Sequence, residues 1–130
     1  MNTDLMFSHK TDHWSTPKEF YNKLNEEFNF DYDPCPLKGD DNNALFVDWI
    51  GNVFCNPPYS NIRNFLEKGI LEVRKGNAKT VVFLIPARTD TKWFHDLLYR
   101  KYTIRFIKGR LKFGNSKNSA PFPSMLVIVK

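Results

Sequence analysis

The sequence predicts a single α/β domain whose sheet is mostly parallel and ends in an antiparallel hairpin at its C-terminal edge. Three observations predict it. The apolar run Val53-Phe54-Cys55 is followed by an amphipathic helical pattern to Lys75 and by a second apolar run from Thr80 to Pro86. Strand, helix and strand within about 35 residues make a right-handed crossover unit. Two further β-rich runs, 102–107 and 123–129, close the chain with no helical pattern between them, as an antiparallel pair does. Finally, 130 residues with 42% hydrophobic and 15% aromatic content suit one core.

In chain order, residues 1–13 show no periodicity and read as a flexible lead-in to a domain spanning 14–130. Thr16-Pro17-Lys18-Glu19 reads as a helix start, with Thr16 as N-cap, Pro17 at the first helical position and Glu19 completing a capping box. The helix runs to about Glu27, with Phe20, Leu24 and Phe28 as its apolar stripe. Phe28 to Pro36 alternates aromatic and polar residues and reads as a strand ending at Asp33-Pro34-Cys35. Residues 37–44 form a polar loop. After the central strand, Ile62, Phe65, Leu66, Gly69, Ile70 and Val73 mark the inward face of a helix from about Asn61 to Lys75, which Gly76 stops. A shorter helix over 91–100 would turn Trp93, Phe94, Leu97 and Leu98 inward.

Charge is unevenly distributed. Net charge is +5, yet residues 97–130 hold 8 of the 19 basic residues and none of the 14 acids. A basic quarter on a mildly acidic body is either a solvated face or a surface that meets a polyanion. Arg110, Lys112 and Lys117, among Ser and Asn, are residue types that grip phosphates. Arg88 either serves a phosphate or pairs with an acid. The two cysteines, Cys35 and Cys55, suit free thiols, and no Cys/His grouping has metal spacing, so no metal is expected. No run has the length of a membrane span and the N-terminus has no signal-peptide core, from which cytoplasmic residence is expected.

The chemistry is expected where the central strand runs into Asn56-Pro57-Pro58-Tyr59-Ser60. Two prolines set φ, remove two N–H donors and stop both ladder and helix. Pro57 also drives Asn56 out of the α region, so its carboxamide extends from the strand's end. The carboxamide oxygen and the Pro57 carbonyl then make two acceptors beside the Tyr59 ring, a site fitted to a planar group bearing an NH2. The crossover unit puts Asn56 at a strand's carboxyl end, where open α/β sheets bind ligands. An ordinary Asn-Pro turn before a helix would give the same four residues.

Asn56-Pro57-Pro58-Tyr59 resembles the catalytic motif of S-adenosylmethionine-dependent amino-methyltransferases acting on adenine in DNA. With Thr-Pro at a helix start, Asp-Pro after a strand, Asp48-Trp49 before the motif, and Gly109-Arg110-x-x-Phe113 before Ala120-Pro121-Phe122-x-Ser124, the chain from about Trp14 to its end is similar to the small phage-type DNA N6-adenine methyltransferases. The resemblance implies a Rossmann-like methyltransferase sheet, S-adenosylmethionine as cofactor, and an adenine flipped out of DNA. Asn56 and Pro57 would accept from the adenine amine, Pro58 would stiffen the corner and Tyr59 would stack on the base. Trp14, Thr16 and Pro17 would contact the cofactor's amino-acid end. Asp33 would bind its ammonium or ribose, Pro34 and Cys35 would shape the wall, and Asn43 would meet its adenine, with Asp40, Asp41 and Asp48 as competitors for that role. Ser60, Arg63, Arg88, Arg110, Lys112 and Lys117 are the candidate DNA contacts. The chain departs from the pattern in lacking a Gly-rich cofactor loop; only Gly39 follows the Asp-Pro turn. No separate target-recognition domain is evident, so specificity would come from short loops or from a second copy in a homodimer. The resemblance also implies phage or prophage origin. Two alternatives use the same corner: a protein glutamine N-methyltransferase, whose substrate also carries a planar amide NH2, and a non-catalytic nucleic-acid-binding module of the same fold.

Overall fold

The computed structural model describes residues 15–35, 41–112 and 121–130. The expected lead-in over 1–13, the first half of the loop expected at 37–44, and the polar segment 114–120 lie outside the described residues. The elements are α1 (Lys18–Phe28), a single turn α2 (Asp41–Ala44), β1 (Gly51–Cys55), α3 (Ile62–Lys75), β2 (Ala78–Pro86), a π-helical turn Phe94–Leu98, β3 (Thr103–Phe106) and β4 (Ser124–Val129).

The strands form one sheet in the order β1-β2-β4-β3. β1 and β2 are parallel and joined through α3, while β4 is antiparallel to both β2 and β3. This corrects the mostly parallel expectation: among the named strands only one neighbouring pair is parallel. The expected antiparallel pair is present at the sheet edge, with β4 on its inner side and β3 outermost. The physical reason lies in the residues. β4, Ser-Met-Leu-Val-Ile-Val, is apolar at every position but its first and is buried throughout, whereas β3 has exposed residues at three of its four positions. A strand apolar on both faces belongs between two others.

The strand expected from Phe28 to Pro36 shrinks to one parallel bridge, Tyr32 to Val53, on the outer side of β1. Residues 29 and 30 serve α1 instead. Asn29 takes a left-handed φ of 52° and donates its N–H to the Asn25 carbonyl, and Phe30 N–H donates to Asn25 Oδ1 at 2.8 Å. Pairing begins only at Asp31, whose N–H donates to the Asn52 carbonyl at 2.7 Å. In the expected helix over 91–100, the Tyr99 N–H reaches back five residues to the Phe94 carbonyl at 2.9 Å, widening the last turn. Phe94 and Leu98 are buried, and Trp93 and Leu97 pack against the same core.

Side-chain alternation divides the core between the two faces of the sheet. Val53, Cys55, Val81, Phe83, Ile85, Met125 and Val127 face α3, with Trp49, Phe65 and Leu66. Phe54, Val82, Leu84, Leu126 and Ile128 face α1, with Leu24, Phe20 and Tyr21. Arg105 ties β3 to α1 through a two-pronged pair with Glu27, Nη1 to Oε1 at 2.8 Å. Glu72 anchors the α3 side. Fully buried, it accepts from Trp49 N–H at 2.7 Å and Asn77 Nδ2 at 3.2 Å, and pairs with Lys68 at 3.3 Å and Lys75 at 3.1 Å. Burial would push this carboxyl up, but those donors and cations outweigh it and hold the carboxyl down to about 2. Glu72 thereby fixes the segment entering β1.

Candidate active site

β1 carries the chain to the carboxyl end of the sheet, where Pro57 and Pro58 end pairing and both are buried. Pro58 is extended (φ −62°, ψ 132°) and its carbonyl accepts from Asn61 N–H at 3.0 Å. That closes a 3-10 turn over Tyr59–Asn61 leading into α3. The corner is therefore rigid on both sides: β1 pairs with β2 up to Cys55, and α3 starts at Ile62.

Thr16 corrects one expectation. It does not cap α1: the residue at the cap is Pro17, with ψ 132°, and no side chain caps the helix. The hydroxyl is used elsewhere, since Asn56 Nδ2 donates to Thr16 Oγ1 at 3.1 Å. With its amide nitrogen turned toward Thr16, the Asn56 carbonyl oxygen is directed away from it. Oδ1 is shielded from solvent, as is the Tyr59 hydroxyl, and burial pushes that phenol well above its ordinary range. Tyr59 meets Phe122, just before β4, with ring centroids 5.3 Å apart at 71°.

Of the expected cofactor residues that are described, all but Asn43 converge here. The 31–33 segment lies along β1, with Phe54 N–H donating to the Tyr32 carbonyl at 3.0 Å. Asp33 Oδ1 accepts from Cys35 N–H at 2.8 Å, which holds the Asp-Pro-Cys turn. Cys35 and Cys55 are buried free thiols with sulfurs 3.9 Å apart. Burial and then the negative charge of Asp33 raise the Tyr21 phenol, so α1 passes close to that carboxylate. Thr16, Pro17, Asp33, Pro34, Cys35 and Asn56 thus come from three separate stretches to one end of the sheet. Trp14 lies outside the described residues. Asn43, in α2, is exposed; its carbonyl accepts from Phe46 N–H at 3.0 Å, and no contact joins its side chain to this group.

Such a corner joined to a Thr-Pro and an Asp-Pro turn is matched over most of the chain by one family. The family model described as DNA N-6-adenine-methyltransferase (Dam) covers residues 5–130. The chain belongs to the Dam family. Comparison with curated proteins gives no match, and neither does comparison with solved structures.

The expected DNA contacts in this Dam-family chain are less uniform. Arg88, Arg110 and Lys112 are exposed, and Ser60 is exposed beside the corner. Arg63 is engaged, with Nη1 3.2 Å from Asp96 Oδ2 and Nε 3.8 Å from Glu67. Lys117 lies outside the described residues. Among the described residues there is no group of three or more His, Cys, Asp or Glu that could hold a metal ion, and no helix is long and apolar enough to cross a membrane. An open groove of about 370 Å³ lined by Arg100, Lys101, Thr103 and Lys130 lies at the opposite end of the sheet. Sequence reasoning gave Glu72 no role and named Phe122 and Ser124 only as part of a motif. For Glu72 a signal existed: three residues after Gly69, an acid falls on the inward side of α3.

Proposed function

We propose that this protein transfers a methyl group from S-adenosylmethionine to the exocyclic N6 amine of adenine in DNA. One observation carries the reading: Asn56, at the carboxyl end of β1, is held by Thr16 in the orientation that commits its carboxamide oxygen as an acceptor. Family membership supplies DNA adenine as the substrate class. The sheet is compatible with a Rossmann-like methyltransferase, since the lone reversed strand, β4, lies between two strands of common direction.

The residues fit the cofactor's chemistry. The first turn of α1 has no side-chain cap, so its N–H groups suit a carboxylate. Asp33 offers a carboxylate to an ammonium or a ribose. Thr16, Pro17, Asp33, Pro34 and Cys35 would hold the cofactor, with Trp14 and Asn43 at its two ends. When bound, S-adenosylmethionine supplies an electrophilic methyl on a sulfonium.

The protein's part is orientation. Asn56 Oδ1 and the Pro57 carbonyl accept from the two N–H bonds of the adenine amine, which draws the nitrogen lone pair out of the ring and toward the methyl. Tyr59 stacks on the base, and Pro58 keeps the acceptors from relaxing. With S-adenosylmethionine bound, the methyl would pass from its sulfur to this nitrogen, leaving a neutral thioether, and the nitrogen, acidified by alkylation, would release its proton to solvent. No side-chain base is required. Extruding the base costs a few kcal/mol of stacking, which exposed cations such as Arg88, Arg110 and Lys112 help to offset by gripping phosphates.

The test is transfer of a radiolabelled methyl group from S-adenosylmethionine to unmethylated DNA, with nucleoside analysis and Asn56→Ala as control. N6-methyladenine formed by the wild type and absent with Asn56→Ala is the expected result. Label on protein glutamine instead of DNA, or no cofactor binding at all, would overturn the reading.

A further inference from the structure

Ser124 opens β4 opposite Pro86, the last residue of β2. It is 1% exposed, and its Oγ makes no hydrogen bond among the described residues. Leaving a desolvated hydroxyl unpaired costs free energy that alanine at the same position would not incur. A serine here therefore needs a reason other than stability.

Its surroundings supply one. Leu126 and Ile128 face α1, so alternation stands Ser124 on the α1 side of the sheet. Asn56 stands on the same side, two residues after Phe54 and bonded to Thr16 just before α1. Cys55 is level with Phe83, which makes Asn56 level with Leu84, whose partner on β4 is Leu126. Ser124 therefore lies two strands across from Asn56 and two residues farther toward the carboxyl end of β2. With strands about 4.8 Å apart and a rise of about 3.4 Å per residue, the two backbones are about 12 Å apart. A purine about 5 Å across with a hydrogen bond of about 3 Å at each end spans about 11 Å. The ring contact between Tyr59 and Phe122 links the corner directly to the segment that leads into Ser124.

We propose that Ser124 Oγ–H donates a hydrogen bond to a ring nitrogen of the target purine while the base's amine is held at Asn56. The inference rests on the reading of the Asn56 corner as the methyl-transfer site. Base entry opens the Tyr59–Phe122 contact and brings the shielded hydroxyl an acceptor that it lacks among the described residues. Ser124 then reads the far edge of the base, and a one-ring pyrimidine falls short of it.

The experiment compares wild type, Ser124→Ala and Ser124→Cys on duplexes carrying adenine or its 1-deaza, 3-deaza or 7-deaza analogue at the target. The Ser124→Ala protein is expected to be at least as heat-stable as wild type. Its kcat/KM for adenine DNA falls about tenfold or more, the ordinary worth of one base-edge hydrogen bond. Its KM for S-adenosylmethionine is unchanged, and Ser124→Cys falls between. The 3-deaza analogue, which lacks the acceptor on the edge away from the amine, impairs the wild type by a similar factor and does not impair Ser124→Ala further. A wild type that methylates DNA while Ser124→Ala matches its turnover, or that responds to all three analogues as the variant does, overturns the assignment of Ser124 and leaves the methyl-transfer reading standing. A wild type that transfers no methyl to DNA overturns that reading, and the proposal with it.

Discussion

Replacing Thr16 by valine tests whether the orientation of Asn56 is built into the protein. The substitution keeps the shape and removes only the oxygen that accepts from Asn56 Nδ2 at 3.1 Å. The amide is partly buried, and a buried N–H deprived of its acceptor costs about 1–3 kcal/mol, which sets the upper range of the loss. That is comparable to the energy separating the two flipped orientations of a carboxamide, so the amide turns toward other partners and its oxygen leaves the acceptor position. If the whole penalty falls on the reactive orientation, turnover drops by roughly 5- to 150-fold, at about 1.4 kcal/mol per decade. Thr16→Ser keeps the hydroxyl and should stay within about twofold. The assay is single-turnover methylation of DNA at saturating cofactor, with cofactor affinity measured separately by calorimetry, because Thr16 also borders the proposed cofactor site. A Thr16→Val protein with normal single-turnover rate, or a serine variant as impaired as the valine one, would refute the reasoning.

Two further substitutions probe the core that carries the site. In Glu72→Gln the partly buried Lys68 ammonium and the half-exposed Lys75 lose their counter-charge while the Trp49 N–H keeps an acceptor. Urea titration should show a loss of about 2–4 kcal/mol, because removing one member of a buried pair strands the other. The same group sets a pH dependence. Its folded-state carboxyl titrates at about 2, below its ordinary 4.5, so its contribution is complete above 4.5 and is lost as pH falls toward 2. The stability gap between wild type and Glu72→Gln should close over that acid range, and a gap independent of pH would count against the assignment. Gly69→Ala sets helix propensity against space. Alanine favours a helix by up to about 1 kcal/mol, but a Cβ at Gly69 overlaps the tip of the Phe83 ring and sits 3.3 Å from Trp49 Cζ3. Overpacking of about 1–3 kcal/mol should win, and a raised melting temperature would show that the ring yields freely.

Much of the fold was legible because local chemistry decided it. The inward stripe of α3 and its stop at Gly76, which takes a left-handed φ of 85°, follow from the helical period and from glycine's freedom. β2, buried at all but one position, follows from its apolar run. The 28–36 segment was less legible. Alternation there matched a strand, but Asn25 drew both Asn29 and Phe30 into the end of α1, and a side chain reaching five residues along leaves no mark in periodicity. Thr16 misled for the same reason: its Thr-Pro-x-Glu setting is that of a cap, while its partner is 40 residues away.

Local chemistry is enough for the corner, since Pro57 and Pro58 restrict the backbone whatever surrounds them, and for the crossover that sets Asn56 at a strand's carboxyl end. Long-range packing alone sets which way the Asn56 amide turns, brings Thr16 to it across 40 residues, and inserts β4 between β2 and β3. Those features depend on partners distant in sequence. Backbone restriction and periodicity act between neighbours along the chain, whereas a hydrogen bond from Asn56 to Thr16, or a hydroxyl shielded from solvent at Ser124, exists only once the sheet has brought its strands together.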